Sequence, residues 1–315
     1  MKHKILCNLD LKDCKKEISN LKKISVFQNF LNKKDIEKRI KDTTIFICSA
    51  SLKLDKKFFI KAKKLKLIFT PSTGTDHIDF DELKKNKIKV YHIAKEKKLI
   101  NNFTATSELA FCLLLNLLRK SLEANKEAKN GIWAREKFSG FQLKDKVIGI
   151  IGFGRLGKIT AKIAKGFGMK ILINDIKKIK KSSNLKKVKL DHLLKKSDYI
   201  FLHVHLTPKT NKLINKKNIK LMKKNAILIN TSRGKLIDEE ALLNSLKKKK
   251  IAGAGLDMID GEWLDKKKLY NHKLIKFSRK HSNLLILPHI GGSTYESIVG
   301  ARKFILNKAY RLIKR

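Results

Sequence analysis

Short apolar runs alternate with polar, helix-like segments along the first hundred residues. Residues 4–7, 44–48, 67–70 and 89–93 read as strands, and segments such as 33–39 and 56–64 between them read as helices. That alternation predicts βαβ units and a parallel sheet. Residues 104–120 then read as one long helix, apolar on nearly every face. A second series begins at Lys146, with strands expected at 146–151, 170–174, 199–204, 226–230, 252–256 and 284–287. Six strands with helices between them predict a doubly wound α/β domain. Residues 293–315 read as a final helix that crosses back to the first domain. The expected division is a 1–100 plus 292–315 domain and a 101–291 domain, with the two chain crossings forming a hinge near Asn101 and Gly291.

Composition adds one unusual feature. The 315 residues are 42% hydrophobic, which fits a globular chain, but the formal net charge is +46. Nucleic-acid binding is one reading of such a charge. The lysines are spread over the whole length rather than gathered in a tail, which favours a solvated surface. No helix-turn-helix, zinc motif or aromatic–basic interleaving supports a specific nucleic-acid site. Cys7, Cys14, Cys48 and Cys112 form no C-x-x-C and have no histidine at zinc spacing, so no metal is expected. They read as reduced thiols of a cytoplasmic protein. The N-terminal apolar stretch is too short for a signal peptide. The longest apolar run, 109–118, is about half a membrane span, so no membrane is expected.

The first chemistry lies in Gly152-Phe-Gly154-Arg155-Leu156-Gly157. It follows an apolar strand and opens a helix, and Asp175 ends the next strand 18 residues after Gly157. The first glycine allows a tight turn, the second lets backbone approach a pyrophosphate, and the third lets helix and strand pack closely. The helix N-terminus supplies free N–H groups for the anion. A carboxylate at Asp175 would accept from a ribose 2′-hydroxyl and repel a 2′-phosphate, which predicts NAD over NADP. Lys177 and Lys178 could still tolerate a phosphate.

Three further residues each follow a predicted strand of the same sheet: Arg233 in NTSRG, Glu262 in GLDMIDGEW and His289 in PHIGGST. Loops after the strand ends of a doubly wound sheet converge on one crevice. Only nine of the 74 basic residues are arginine, so an arginine at a strand mouth stands out. A guanidinium grips a carboxylate or carbonyl with two parallel bonds and stays charged in a partly dry site. In hydride transfer to a 2-keto acid, Arg233 would stabilise charge building on the carbonyl oxygen and hold the carboxylate. His289 would exchange the proton. Glu262 would bond the other ring nitrogen, orient the imidazole and stabilise it when charged.

With these motifs the chain resembles the D-isomer-specific 2-hydroxyacid dehydrogenase family, phosphoglycerate dehydrogenase-like, over nearly its whole length. The resemblance rests on the glycine loop, Asp175, LHVHLTPKTNKLIN, NTSRG, GAGLD and PHIGGST. It implies a flavodoxin-like substrate domain beside a Rossmann NAD-binding domain, an NAD-linked enzyme acting on a small 2-hydroxy or 2-keto acid, and a homodimer. It carries the catalytic roles onto Arg233, Glu262 and His289. It places Asp257 and Thr106 near the nicotinamide, and His205, Thr207, Thr231, Ser232 and Gly291 along the cofactor. Three features depart from the family pattern. His205 stands where the family usually has Pro, Trp263 replaces a common Pro after the catalytic Glu, and the stretch from Glu262 to His289 is slightly long. The formate-oxidising branch has Gln in place of Glu262, which disfavours formate.

For the substrate end, the loop CSASLKL resembles the family loop whose backbone amides hold the substrate carboxylate. It points to Ser49, Ala50 and Ser51, with Gly74 from STGTDHID. The first loop lacks the arginines of phosphoglycerate-type members, which argues against a phosphorylated substrate. Trp133 and residues 123–138 correspond to the family's dimer-forming region, although Trp133 could equally plug a domain joint. His77 and Asp79, and the remaining histidines, read as structural. A binding protein of the same fold that senses NAD(H) without turnover is the alternative reading.

Overall fold

The computed structural model describes residues 2–179, 185–263 and 265–314. The chain divides into two compact units, Met1–Phe103 with Ser293–Arg315, and Thr104–Gly292. Among the described residues, the first unit holds a five-stranded sheet. Its strands are β1 (His3–Cys7), β2 (Ser25–Asn29), β3 (Ile45–Ile47), β4 (Leu67–Thr70) and β5 (Lys89–His92), in the order β2-β1-β3-β4-β5. The second holds β6 (Val147–Ile151), β7 (Lys170–Asn174), β8 (Leu185–Lys187), β9 (Tyr199–Leu202), β10 (Ile227–Asn230), β11 (Gly253–Leu256) and β12 (Leu284–Ile286), in the order β12-β11-β10-β9-β6-β7-β8. Every pairing in both sheets is parallel. This is the α/β architecture of two doubly wound sheets expected from the alternating pattern.

Two strands escape sequence reading, β2 and β8. Both are edge strands. A central parallel strand is covered on both faces and reads as an apolar run, as in β9 and β10, whose residues are all buried. An edge strand is not, and Leu185-Lys-Lys187 shows no such run.

Each sheet is packed on both faces. In the second unit, one layer joins strand residues such as Ile200 and Leu228 to Leu242 and Leu246 of the Glu239–Lys247 helix. The opposite layer joins Ile150, Phe201 and Ile229 to Phe111 and Leu114 of the Ala105–Arg119 helix. In the first unit, Ile305, Leu306 and Ala309 of the Tyr295–Ile313 helix pack with Ile5, Leu21, Ile45 and Phe69. The final helix therefore belongs to the first unit's core, and Thr294 caps it by accepting from Ser297 N–H. Among the described residues, no helix is long and apolar enough to cross a membrane.

In the seven-stranded sheet, chain order reverses between β6 and β9, which lie side by side. The loops that leave these two strands open the crevice where a doubly wound sheet binds its ligand.

Candidate active site

The chain leaves β6 through Gly152, at φ +94°, where a Cβ would lie 2.4 Å from the carbonyl oxygen of His203. A Cβ on Gly157 would lie 2.1 Å from the carbonyl oxygen of Gly152. Packing excludes a side chain at both positions. Gly154 differs: its φ is −76°, and a Cβ there would meet nothing within 4 Å. That open space lies at the N-terminus of the Arg155–Gly166 helix, for which Gly154 is a cap without a side chain. An anion there would meet the free N–H groups of the first turn.

Asp175 first shapes this loop. Its carboxylate accepts from Phe153 N–H at 2.6 Å and from Lys177 N–H at 2.7 Å. Each oxygen retains acceptor capacity for a hydroxyl. Beneath the loop, His203 Nε2 lies 2.8 Å from Thr160 Oγ1. Burial pushes this imidazole down to about 4, with the nearby Arg155 charge adding to the effect. It is a neutral support for the loop.

The turn after β10 carries Thr231, Ser232 and Arg233. Asn230, fully buried, pins it: its Nδ2 donates to the Arg233 carbonyl at 2.8 Å and its Oδ1 accepts from Ser232 N–H at 3.0 Å. Ser232 Oγ donates to the Leu202 carbonyl of β9 at 2.6 Å, so this hydroxyl ties two strands together. Arg233 Nη1 donates to the Ser232 carbonyl at 2.7 Å. Thr231 is buried, and its hydroxyl has no hydrogen-bond partner among the described residues. A buried hydroxyl left in this state is costly unless a ligand supplies the partner.

Asp257 follows β11 and is fully buried. It accepts from Ile290 N–H at 2.7 Å and Gly291 N–H at 2.8 Å, while burial pushes its carboxyl upward. A Cβ on Gly291 would lie 2.8 Å from Asp257 Oδ2 and 3.3 Å from Thr106 Cγ2, so these three residues meet. His289 adopts φ +55°, uncommon for a side-chain-bearing residue, and its N–H donates to the Asp257 carbonyl at 2.8 Å. That backbone aims the ring at Glu262, with Nδ1 3.0 Å from Oε2. The Trp263 ring centroid lies 5.7 Å from that of His289.

Other expected residues make their own local contacts. Thr207 closes an exposed turn with Thr210, whose hydroxyl donates to the His205 carbonyl at 2.7 Å. In the first unit, Ser49 N–H donates to Asn8 Oδ1 at 2.8 Å, so its amide is already engaged by a side chain. Its hydroxyl lies 2.7 Å from that of Ser51. Ala50 and Ser51 occupy the same loop after β3, and Gly74 lies in the loop after β4. Sequence reasoning missed Asn8, Asn230 and Ser107, whose hydroxyl donates to the Leu156 carbonyl at 3.1 Å. For Asn230 the signal was available, because Asn at the end of a strand commonly bonds local backbone, whereas Asn8 bonds Ser49, 41 positions away, and has no local signal.

The residues present fit a dinucleotide. Gly154 leaves room against a helix N-terminus, Thr231 offers an unsatisfied hydroxyl, and Asp175 retains acceptors at the end of β7. Among the described residues, no group of His, Cys, Asp and Glu could hold a metal ion.

Comparison with known proteins agrees with this geometry. Residues 111–291 match the D-isomer specific 2-hydroxyacid dehydrogenase, NAD binding domain, and residues 5–99 match the catalytic domain of the same family. A glyoxylate reductase from Thermococcus litoralis is 38% identical over 277 residues, 85% of this chain and 80% of that protein. A D-3-phosphoglycerate dehydrogenase from Methanocaldococcus jannaschii is 33% identical over 90% of this chain and 52% of its own length. The crystal structure of D-lactate dehydrogenase from Aquifex aeolicus, complexed with NAD and lactic acid, superposes with a TM-score of 0.86 at 29% identity, covering 98% of this chain and 95% of that one. The chain belongs to the D-isomer specific 2-hydroxyacid dehydrogenase family and is an NAD-dependent oxidoreductase of that class.

Proposed function

We propose that this enzyme interconverts a small D-2-hydroxy acid and its 2-keto acid, with glyoxylate as the first substrate to test. The observation that carries the reading is the His289–Glu262 pair at 3.0 Å, with His289 N–H held by the carbonyl of Asp257 just after β11. Several similar relatives are glyoxylate reductases, which supports a short keto acid.

The bound nicotinamide supplies or accepts the hydride. This chain's residues do the rest. Glu262 accepts from His289 Nδ1, which leaves Nε2 to give a proton to the carbonyl oxygen during reduction, or to take it from the hydroxyl during oxidation. Arg233 binds the substrate carboxylate and stabilises charge on the carbonyl oxygen. Ala50 and Ser51, with Gly74, are the first domain's groups for holding the carboxylate through backbone N–H, and Ser49 contributes its hydroxyl rather than its amide. Gly152, Gly154, Arg155, Leu156 and Gly157 cradle the pyrophosphate. Asp175 holds the adenosine ribose and favours NAD over NADP. Thr231 bonds the cofactor through its unsatisfied hydroxyl, and Thr106, Asp257 and Gly291 line the nicotinamide end.

The protein is proposed to act as a cytoplasmic homodimer. The Ser121–Lys129 helix has no buried residue, and beyond it Ile132, Trp133 and Phe141 are exposed, Trp133 at 87%. A second copy would cover this arm. Burial pushes the Cys7 and Cys48 thiols up to about 12, so both are inert packing residues.

The test is NADH oxidation by the purified protein against glyoxylate, hydroxypyruvate, pyruvate, 2-oxoglutarate, phosphohydroxypyruvate and branched keto acids. Turnover with glyoxylate or another short acid supports the reading. NADH binding with no turnover on any of them would overturn it in favour of a sensor.

A further inference from the structure

We infer that Glu239 and His272 are positioning residues for the reaction: together they hold the Asp260 peptide and so fix the turn that presents Glu262 to His289. The inference rests on the roles proposed above for Glu262 and His289.

Glu239 opens the Glu239–Lys247 helix, and His272 caps the Lys273–Ser278 helix. Their side chains are only 19% and 14% exposed, an enclosed ionisable pair outside the proposed chemistry. Glu239 Oε1 accepts from Asp260 N–H at 2.7 Å, and Oε2 lies 3.3 Å from His272 Nε2. His272 Nε2 also lies 3.1 Å from the Asp260 carbonyl oxygen. The tautomer follows from the cap. Nδ1 accepts from Leu274 N–H at 3.3 Å, so the ring proton sits on Nε2, shared between the Asp260 carbonyl and Glu239. Both backbone polar groups of one residue, in two successive peptide units, are thus bound by side chains at the starts of two different helices.

Two residues later comes Glu262, after Gly261 at φ +81°. A glycine in that conformation is a weak transmitter of rigidity, so the peptide before it needs its own support. The opposite side of the turn is closed as well. A Cβ on Gly234, next to Arg233, would lie 2.2 Å from Ile259 C and 2.3 Å from Asp260 N. The turns bearing Arg233 and Glu262 therefore lie backbone to backbone, and the clamp sets the position of one against the other.

The clamp also has a charge state. Burial pushes the Glu239 carboxyl up to about 7 despite its Asp260 N–H bond, with Asp260 and Asp238 raising it further. Among the described residues, further charged groups at this corner are Lys212, 3.7 Å from Asp238, Lys235, 3.9 Å from Asp260, and the outward Glu240–Lys273 pair at 3.3 Å. A proton on Glu239 Oε2 competes with His272 Nε2–H for the same site, so acid loosens the grip.

The experiment separates the two nitrogens of His272. His272→Asn keeps an acceptor for the helix cap and removes the Nε2 donor, whereas His272→Gln keeps a donor near Nε2 and removes the cap. Expected is a fall in kcat of roughly 10-fold for His272→Asn, with KM for NADH unchanged and the acid limb of the kcat profile displaced. His272→Gln should stay within about threefold of the parent, and Glu239→Gln should flatten the displaced limb. The reverse order, with His272→Gln the slower and less stable variant, would assign His272 to the cap alone and overturn the inference. Equal losses, or full activity of His272→Asn, overturn it too. Glu262→Gln is measured alongside. Full turnover by Glu262→Gln would sink the catalytic reading itself, whereas a slow Glu262→Gln beside a normal His272→Asn would sink only the positioning role.

Discussion

His289 Nδ1 lies 3.0 Å from Glu262 Oε2, although the two are 27 positions apart in the chain and His289 must adopt a φ of +55° to meet its partner. The backbone strain and the hydrogen-bond geometry serve one end, an imidazole whose other nitrogen is presented in a set direction. His289→Ala should therefore lower kcat by roughly 10²–10⁴-fold, the usual scale for a general acid, with NADH affinity unchanged. Glu262→Gln should cost less, because an amide oxygen still accepts from Nδ1–H. Steady-state rates and a fluorescence titration of NADH check both. A His289→Ala enzyme with the parental rate would remove this residue from the mechanism.

Arg233 is expected to resist conservative replacement. Asn230 and Gly234 hold its backbone, so the guanidinium departs from a set point. Arg233→Lys keeps the charge but not the two parallel bonds, and kcat/KM for the keto acid should fall roughly 10²-fold or more. Recovery of most activity by lysine would show that charge alone suffices.

The glycines of the phosphate loop should separate stability from binding. Gly157→Ala drives a methyl to 2.1 Å from the Gly152 carbonyl oxygen, so the protein should lose several degrees in Tm. Gly154→Ala meets no atom within 4 Å at an ordinary φ. It should fold normally and bind NADH more weakly by roughly 10-fold, since the methyl enters the space for the pyrophosphate. Thermal melts and NADH titrations on both variants decide this, and equal NADH affinity in Gly154→Ala and parent would argue against a phosphate in that space.

His203 predicts an acid weakness. Its folded value of about 4 lies below the ordinary 6.5, so the fold favours the neutral ring. The associated stability is fully present above pH 6.5 and is lost as pH falls toward 4. His203→Gln should remove this dependence. Between pH 7.5 and 4.5 the parent should lose about 2–3 kcal/mol relative to the variant, measured by denaturant unfolding at each pH. Parallel curves for the two proteins would show that His203 titrates elsewhere.

Trp263 offers a direct view of the site. The sequence holds two tryptophans, and Trp133→Phe leaves only the one whose ring centre is 5.7 Å from that of His289. A histidine side chain beside an indole quenches it. Emission of Trp133→Phe should therefore rise when His289→Ala is added to it. Equal emission from the two would mean that this ring contact is not kept in solution.

The glycine loop, Asp175 and the strand-end residues were legible because each follows an unbroken apolar run, buried throughout in β10 and β11 and only partly in β7 and β12. Ser25–Asn29 and Leu185–Lys187 were not, because neither stretch holds such a run. His272 read as an ordinary surface or core residue. Nothing local marks it, since its partners Glu239 and Asp260 lie 33 and 12 residues away.

By itself, the sequence determined the architecture and the family and pointed to the candidate reactive groups, because periodicity and short motifs are local properties of the chain. Tertiary structure alone decided three other matters. It decided that Ser49 gives its amide to Asn8, that Gly234 lets the turns bearing Arg233 and Glu262 touch, and that an enclosed carboxylate and imidazole grip the backbone ahead of Glu262. Each depends on which distant backbone groups fold into reach of one another, and hydrogen-bond geometry at about 3 Å has no signature in spacing along the chain.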